Sequence, residues 1–262
     1  MRQFFIALTV LTLAGCTTVP ASTAPSNDKE LSRARNLARA AFEDGATAKA
    51  IDLYAKALNR ALAMDDATEI GNVAYNLALC HIILGQLDQA SASLAEAKAA
   101  FTRSGSTPPD VLLLEATIAQ RQGKLEQALS LADQVLSASP DKSHRFQALL
   151  LKGTVACGQN DPAGARTALV EADQHHVTTA SLLAARERLA GHILLLERNS
   201  SEAAAAFDRA AALFQKAKHY RDMALTLRRA GEAYQEAGDT QRAEDRLFRA
   251  KRSLAAQGEE AQ

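Results

Sequence analysis

The apolar and small residues of the chain recur in a pattern that predicts paired helices from about residue 31 to residue 256. One position in each of six stretches holds a small residue: Ala38, Ala78, Ala116, Gly153, Gly191 and Gly231. Twelve residues later an alanine always follows: Ala50, Ala90, Ala128, Ala165, Ala203 and Ala243. Helices with small residues at their crossing can approach closely. The pattern therefore predicts six antiparallel helical hairpins.

Turn-forming residues separate the two helices of each predicted hairpin. They are Gly45, Gly85, Gly123, Asn160-Asp161-Pro162, Asn199-Ser200-Ser201 and Gly238-Asp239. Glycine readily ends a helix, and Asp, Ser or Thr can cap the helix that follows. Pro140 is expected to close the second helix of the third hairpin. Alanine and leucine dominate the apolar residues, which favours helix throughout, so the predicted fold class is all-α.

The hairpins resemble the tetratricopeptide repeat (TPR), and residues 230–254 (AGEAYQEAGDTQRAEDRLFRAKRSL) lie closest to the family pattern. The resemblance implies an α-solenoid of about six TPR-like helical hairpins forming a right-handed superhelix. The small positions are 37 to 40 residues apart, whereas the standard repeat has about 34 residues. Longer helices or longer loops would explain the difference. The alternative is an alanine-rich coiled coil or an irregular bundle.

The first helix of each TPR hairpin lines a concave groove, and the resemblance places eleven candidate partner-binding residues there. They are Arg35, Arg39, Tyr75, Leu79, Leu113, Thr117, Leu150, Thr154, Arg188, His192 and Arg228. The middle of this groove is expected to be apolar and both ends basic. An exposed apolar channel is typical of a site for a helix or an extended protein segment. The alternative is that the chain buries this strip against itself.

The chain starts with a short apolar run, residues 4–13, that follows Arg2. A membrane-spanning helix needs about 20 apolar residues, so this run is too short. A positive start, a short apolar core and small residues at its end are typical of a secretory signal. The series Leu13-Ala14-Gly15-Cys16 resembles the lipobox of bacterial lipoprotein precursors. An ordinary signal peptide or a buried apolar helix is the alternative.

The lipobox resemblance implies a signal peptide over residues 1–15, cleaved before Cys16, and a covalent lipid on Cys16. No other cofactor is expected. Thr17 stands where an aspartate would indicate retention at the inner membrane under the family's sorting rules. We therefore expect an anchor in the bacterial outer membrane, facing the periplasm. Residues 16–29 are predicted to form the acylated cysteine and a flexible linker, and residues 30–262 the TPR array with a C-terminal tail.

Charge and cysteine content narrow the possible functions. The chain has 30 basic and 30 acidic residues, so no electrostatic argument for binding nucleic acid exists. Cys80 and Cys157 lie two predicted repeats apart, beyond the 7 Å limit between the Cα atoms of a disulfide. We expect both to be free, buried thiols.

We find no motif that predicts catalysis. Residues 153–160 imitate the glycine spacing of a phosphate-binding loop, but Gln159 stands where the lysine must be. His175 and His176 are interpreted as part of a polar loop between repeats, so no metal site is predicted. The sequence therefore predicts that the protein is not an enzyme.

The prediction is a membrane-anchored periplasmic scaffold or adaptor that binds segments of other envelope proteins or peptides through its groove. The assembly that it serves would be a pilus or secretin, outer-membrane protein or cell-wall machinery. One alternative is a structural envelope lipoprotein that self-associates into a homo-oligomer without a separate ligand. A cell-wall enzyme with unrecognised catalytic residues is another.

Overall fold

A computed structural model describes residues 28–105 and 107–257, which form twelve α-helices and no β-strand. The helices are α1 (Lys29–Glu43), α2 (Thr47–Ala63), α3 (Ala67–Ile83), α4 (Leu87–Arg103), α5 (Pro109–Arg121), α6 (Leu125–Ala138), α7 (Lys142–Gly158), α8 (Pro162–Asp173), α9 (Ala180–Leu196), α10 (Ser200–Lys216), α11 (Tyr220–Glu236) and α12 (Thr240–Ala256). The predicted signal peptide, Cys16 and nearly all of the predicted linker lie outside the described residues. Across the described ranges, no helix combines the length and apolarity that a membrane crossing requires.

The helices pack in consecutive pairs, each pair joined by a short turn. α1 packs against α2, α3 against α4, and the same pairing continues through α11 and α12. Each of the six predicted turns falls where the first helix of a pair gives way to the second, although Pro162, Ser200 and Ser201 already belong to the first turn of the second helix. The all-α class and the packing of adjacent helices are therefore confirmed.

The chain divides into two compact units, one ending at Ser139 and the other beginning at Pro140. The first unit holds α1–α6, and in it α3 contacts α2, α4 and α5. The second unit holds α7–α12, and in it α9 contacts α7, α8 and α10, while α10 also contacts α11.

The turns use a left-handed backbone conformation after the first helix of each pair. Gly85 has a φ of 73°, which glycine adopts without a steric penalty. Between α9 and α10 the left-handed residue is Arg198, with a φ of 61°. Asn199 then caps α10 by accepting a hydrogen bond from the Glu202 N–H at 3.4 Å. The sequence predicted this turn but not that an arginine would occupy its left-handed position.

The small positions are buried where the paired helices cross. A Cβ atom added to Gly191 would lie 2.7 Å from Cε1 of Phe207, a side chain with no exposed surface. A Cβ atom on Gly231 of α11 would lie 2.7 Å from Cγ of Leu247 on α12. These distances are too short for a methyl group. The prediction that small residues permit close approach is therefore confirmed.

Cys80 and Cys157 are free and buried, as predicted. Burial raises the pKa of each thiol to about 12. Both thiols therefore stay protonated at neutral pH and behave as small apolar side chains.

Candidate functional site

The predicted groove residues of the first unit are mostly buried. Tyr75 has no exposed surface, Leu79 and Leu113 are 2% and 3% exposed, and Thr117 is 3% exposed. The Thr117 hydroxyl donates to the backbone oxygen of Leu113 at 2.9 Å, so its polar atom is satisfied within α5. These four residues do not line an exposed channel.

Arg35 and Arg39 lie on α1 in different environments. Nη1 of Arg35 donates to both carboxylate oxygens of Glu69, at 2.6 and 2.7 Å. Glu69 is a buried residue of α3, so this ion pair joins the first helices of neighbouring hairpins. Arg39 is exposed, and its Nε lies 3.8 Å from a carboxylate oxygen of Glu43 on the same helix.

The second unit also buries much of its predicted groove. Leu150 is 2% exposed, and Thr154 is partly buried with its hydroxyl donating to the Leu150 backbone oxygen at 2.8 Å. Arg188 is 4% exposed, and its Nη1 lies 3.7 Å from Oδ1 of Asp222 on α11. The Arg188 guanidinium also lies 5.1 Å from the centroid of the Phe214 ring. Burial lowers the pKa of Arg188.

His192 and Arg228 complete the predicted set, and both are partly buried. The His192 ring packs edge-on against Phe207, with 5.1 Å between the ring centroids. Burial lowers the pKa of His192 to about 3, and the positive charges of Arg229 and Arg188 add to this effect. His192 is therefore neutral at physiological pH.

The expectation of an exposed apolar channel is wrong at Tyr75, Leu79, Leu113 and Leu150. Thirteen of the seventeen residues of α3 are buried, because the helix is apolar on most of its faces and packs against α2, α4 and α5. Leaving such side chains in water would cost about 25 cal/mol for each Å² of apolar surface. The burial of this strip was the alternative that the sequence left open.

The repeat pattern did not identify the acidic partners Glu69 and Asp222. Arg35 and Arg188 each stand three residues before the small position of their own hairpin. Glu69 and Asp222 each stand nine residues before the small position of the next hairpin. Each arginine therefore precedes its partner by 34 residues. That shared spacing is the signal in the sequence that the two pairs have in common.

A polar cluster that the sequence analysis did not predict joins α10, α11 and α12. Asp208 accepts hydrogen bonds from the Tyr234 hydroxyl and from two nitrogens of Arg246, all at 2.9 Å. The Arg242 guanidinium lies 4.5 Å from the centroid of the Tyr234 ring. An open cavity of about 410 Å³ lies beside this cluster. Its lining residues are Ser201, Tyr234, Ala237, Gly238, Asp239, Thr240, Gln241 and Arg242.

No arrangement for catalysis by a metal stands out in the part of the chain that the structure describes. Within residues 28–105 and 107–257, no three or more His, Cys, Asp or Glu side chains are grouped so that they could hold a metal ion. His175 lies among positive charges, and its pKa is lowered by partial burial and by Arg145, Lys142 and His176.

Comparison with known proteins gives one kind of match. No protein-family model matches the chain, and no curated protein matches it. Among solved structures, the chain is similar to BtubC (BKLC) from P. vanneervenii, with 20% sequence identity and a TM-score of 0.52. The match covers 90% of this chain and 95% of that one. At this identity the likeness concerns the helical fold alone.

Proposed function

We propose that the protein is a TPR-like α-solenoid that works as an adaptor, holding segments of other proteins against the first helices of its hairpins. The regular hairpin is the observation that carries this proposal. Each described hairpin has a tight turn and a small buried residue at its helix crossing. Stacked hairpins of this kind create extended surfaces suited to other polypeptides. The proposed superhelix is right-handed, as in the family that the sequence resembles.

The proposed adaptor recognises its partner mainly through polar and charged groups. The apolar strip is buried, so it does not offer large apolar anchors. Arg39 on α1 is the exposed member of the predicted groove set. Its guanidinium provides several donors for carboxylate or backbone oxygen atoms of a bound segment.

We further propose that a lipid on Cys16 anchors the protein to the outer membrane of a bacterium, facing the periplasm. The support is the series Leu13-Ala14-Gly15-Cys16 after a short apolar run. Two or more acyl chains make membrane attachment stable, since each buried CH₂ contributes about 0.8 kcal/mol. Membrane fractionation tests this step. Wild-type protein is expected in the membrane fraction and the Cys16→Ala variant in the soluble one, and a variant that remains membrane-bound would contradict the anchor.

Site-specific photocrosslinking in cells tests the adaptor proposal. A photoreactive residue replaces Arg39 on α1 in one variant and Lys56 on α2 in the matched control. Both positions are exposed and lie in the same unit. We expect discrete crosslinked species from position 39 and none from position 56. The absence of crosslinks at 39, or the same species from both positions, would contradict binding at the first helices.

A further inference from the structure

The outward face of α12 carries a self-complementary pattern. Only Ala243, Ala250 and Leu254 of this helix are buried among its described residues. On the opposite face, seven exposed residues lie within about 60° of the direction of Phe248, at about 100° per residue. They are Gln241, Glu244, Asp245, Phe248, Lys251, Arg252 and Ala255. We call this set the α12 face.

Phe248 is the apolar centre of the α12 face. The residue is 59% exposed, the largest exposure among the large apolar residues of the described chain. The Arg252 guanidinium lies 5.5 Å from the centroid of its ring. A large aromatic side chain in such a position is typical of the central anchor of a protein interface.

The charges on the α12 face are arranged symmetrically about Phe248. Glu244 and Asp245 lie about one helical turn before it, and Lys251 and Arg252 lie about one turn after it. Glu244 and Lys251 have no ion-pair partner within the described part of the chain. Among the residues that the structure describes, Asp245 pairs with two arginines of its own helix, Arg246 at 2.6 Å and Arg249 at 3.5 Å.

This order of charges selects one partner and one orientation. When two copies of α12 pair antiparallel about Phe248, the acidic pair of each copy faces the basic pair of the other. A parallel pair would instead place Glu244 beside its own copy, and like charges at that spacing repel. In the antiparallel pair, Gln241 of one copy would meet Ala255 of the other at each end, about two turns from Phe248. The face therefore complements a second copy of itself.

We propose that the α12 face is the interface of a homodimer, in which two copies of the chain pair antiparallel through α12 with Phe248 at the centre. The proposal does not depend on the adaptor function. A single pair of 17-residue helices buries less surface than a standard interface, and interfaces below about 1,200 Å² are weak and transient. The dimer is therefore in reversible equilibrium with the monomer.

Sedimentation equilibrium of the full chain tests the dimer. The chain carries Cys16→Ala, so that acyl chains cannot cause association. Over about 1 μM to about 1 mM, we expect the average mass to rise from that of a monomer towards that of a dimer. Replacing the central anchor, Phe248→Ala, is expected to weaken the dimer by about tenfold or more. A chain that stays monomeric over this range would overturn the proposal.

Charge reversal tests whether the charges of the α12 face form the interface. One variant carries Glu244→Lys with Asp245→Lys, which makes the α12 face entirely basic. A second variant carries Lys251→Glu with Arg252→Glu, which makes it entirely acidic. Each variant alone should be monomeric where the parent chain dimerises, and an equimolar mixture of the two should restore the dimer. If the mixture stays monomeric, the antiparallel pairing is overturned.

A matched variant on another helix serves as the control. Asp52→Lys with Lys56→Glu reverses two exposed charges one turn apart on α2. It should dimerise like the parent chain. A dimer that persists unchanged in the Phe248 and charge-reversed variants, or that is lost in the α2 variant, would place the interface elsewhere. Circular-dichroism melting curves verify that all the variants remain folded.

Discussion

Two arginines, Arg35 and Arg188, occupy the same place in different hairpins, and each reaches an acidic residue 34 positions further along the chain. Both arginines lie on the first helix of a hairpin, and both acidic partners lie on the first helix of the next. The middle hairpins have Tyr75, Leu113 and Leu150 at the position of the arginine. The same geometry is therefore filled by ion pairs in two places and by apolar side chains between them.

The sequence predicted where these two arginines lie, but not what surrounds them. The repeat spacing placed Arg35 and Arg188 on the first helices of their hairpins. It did not predict that Arg188 would be buried and Arg35 partly buried, because an arginine leaves the solvent only when a carboxylate is brought to it. Glu69 and Asp222 come from the next hairpin, and a motif confined to one repeat does not contain them.

The His192 imidazole predicts a pH dependence of folding stability. The pKa of His192 is about 3 in the folded protein, whereas a histidine in an unfolded chain has a pKa of about 6.5. Below pH 6.5 the unfolded chain binds a proton at His192 that the folded chain does not. The free energy of unfolding therefore falls as the pH falls, by at most about 1.4 kcal/mol per pH unit. Because His192 is only partly buried as a residue, we expect a loss of about 1 kcal/mol between pH 6.5 and 5.

Urea denaturation of wild type and His192→Gln at several pH values measures this effect. Glutamine does not titrate, so the variant should lose less stability over the same range. Parallel curves for the two proteins would show that His192 is not the group responsible.

At the scale of the helices, close approach at the crossing depends on the absence of a side chain. Gly191→Ala introduces a methyl group 2.7 Å from the buried ring of Phe207. Overpacking costs about 1–3 kcal/mol, while alanine in place of glycine favours the helix by about 1 kcal/mol. We expect a net loss of about 1 kcal/mol in the free energy of unfolding, measured with urea.

A smaller neighbour provides the control for this substitution. In a Phe207→Leu background the ring is absent, so the methyl group at position 191 should be neutral or stabilising. If Gly191→Ala stabilises the protein equally in both backgrounds, close approach is not the reason for glycine at this position.

The helices and turns were the features most predictable from sequence. The recurrence of small residues and the glycines between them gave the six hairpins and their order. Arg198 was the exception, because no sequence preference indicates arginine in a left-handed turn. Arg198 stands seven residues after Gly191, the same place in the repeat that the left-handed glycines occupy in other hairpins.

At the scale of the whole molecule, burial is uneven among the helices. Thirteen of seventeen residues are buried in α3, whereas three of seventeen are buried in α12. Amide hydrogens exchange faster where fewer apolar contacts oppose local opening. We expect protection factors in α3 to exceed those in α12 by about tenfold or more, measured by hydrogen exchange in dilute protein so that self-association does not protect α12. Equal protection in both helices would contradict this stability gradient.

The sequence predicted the exposure of the groove residues least well. A residue's distance along the chain from the small position of its hairpin indicates the helix face on which it lies. It does not indicate whether that face is covered, because coverage depends on elements distant in sequence. Tyr75 and Leu113 were correctly assigned to first helices, and their burial became apparent only in the structure.

Asp28, the first described residue, links the start of α1 to α2. Asp28 accepts a hydrogen bond from the Leu31 N–H at 2.8 Å and from Nη2 of Arg60, on α2, at 2.6 Å. The Arg60 guanidinium and the Leu31 N–H hold the pKa of Asp28 below its usual range. A mechanical pull on the amino-terminal segment would therefore be shared between α1 and α2 at its point of entry, instead of unwinding α1 alone.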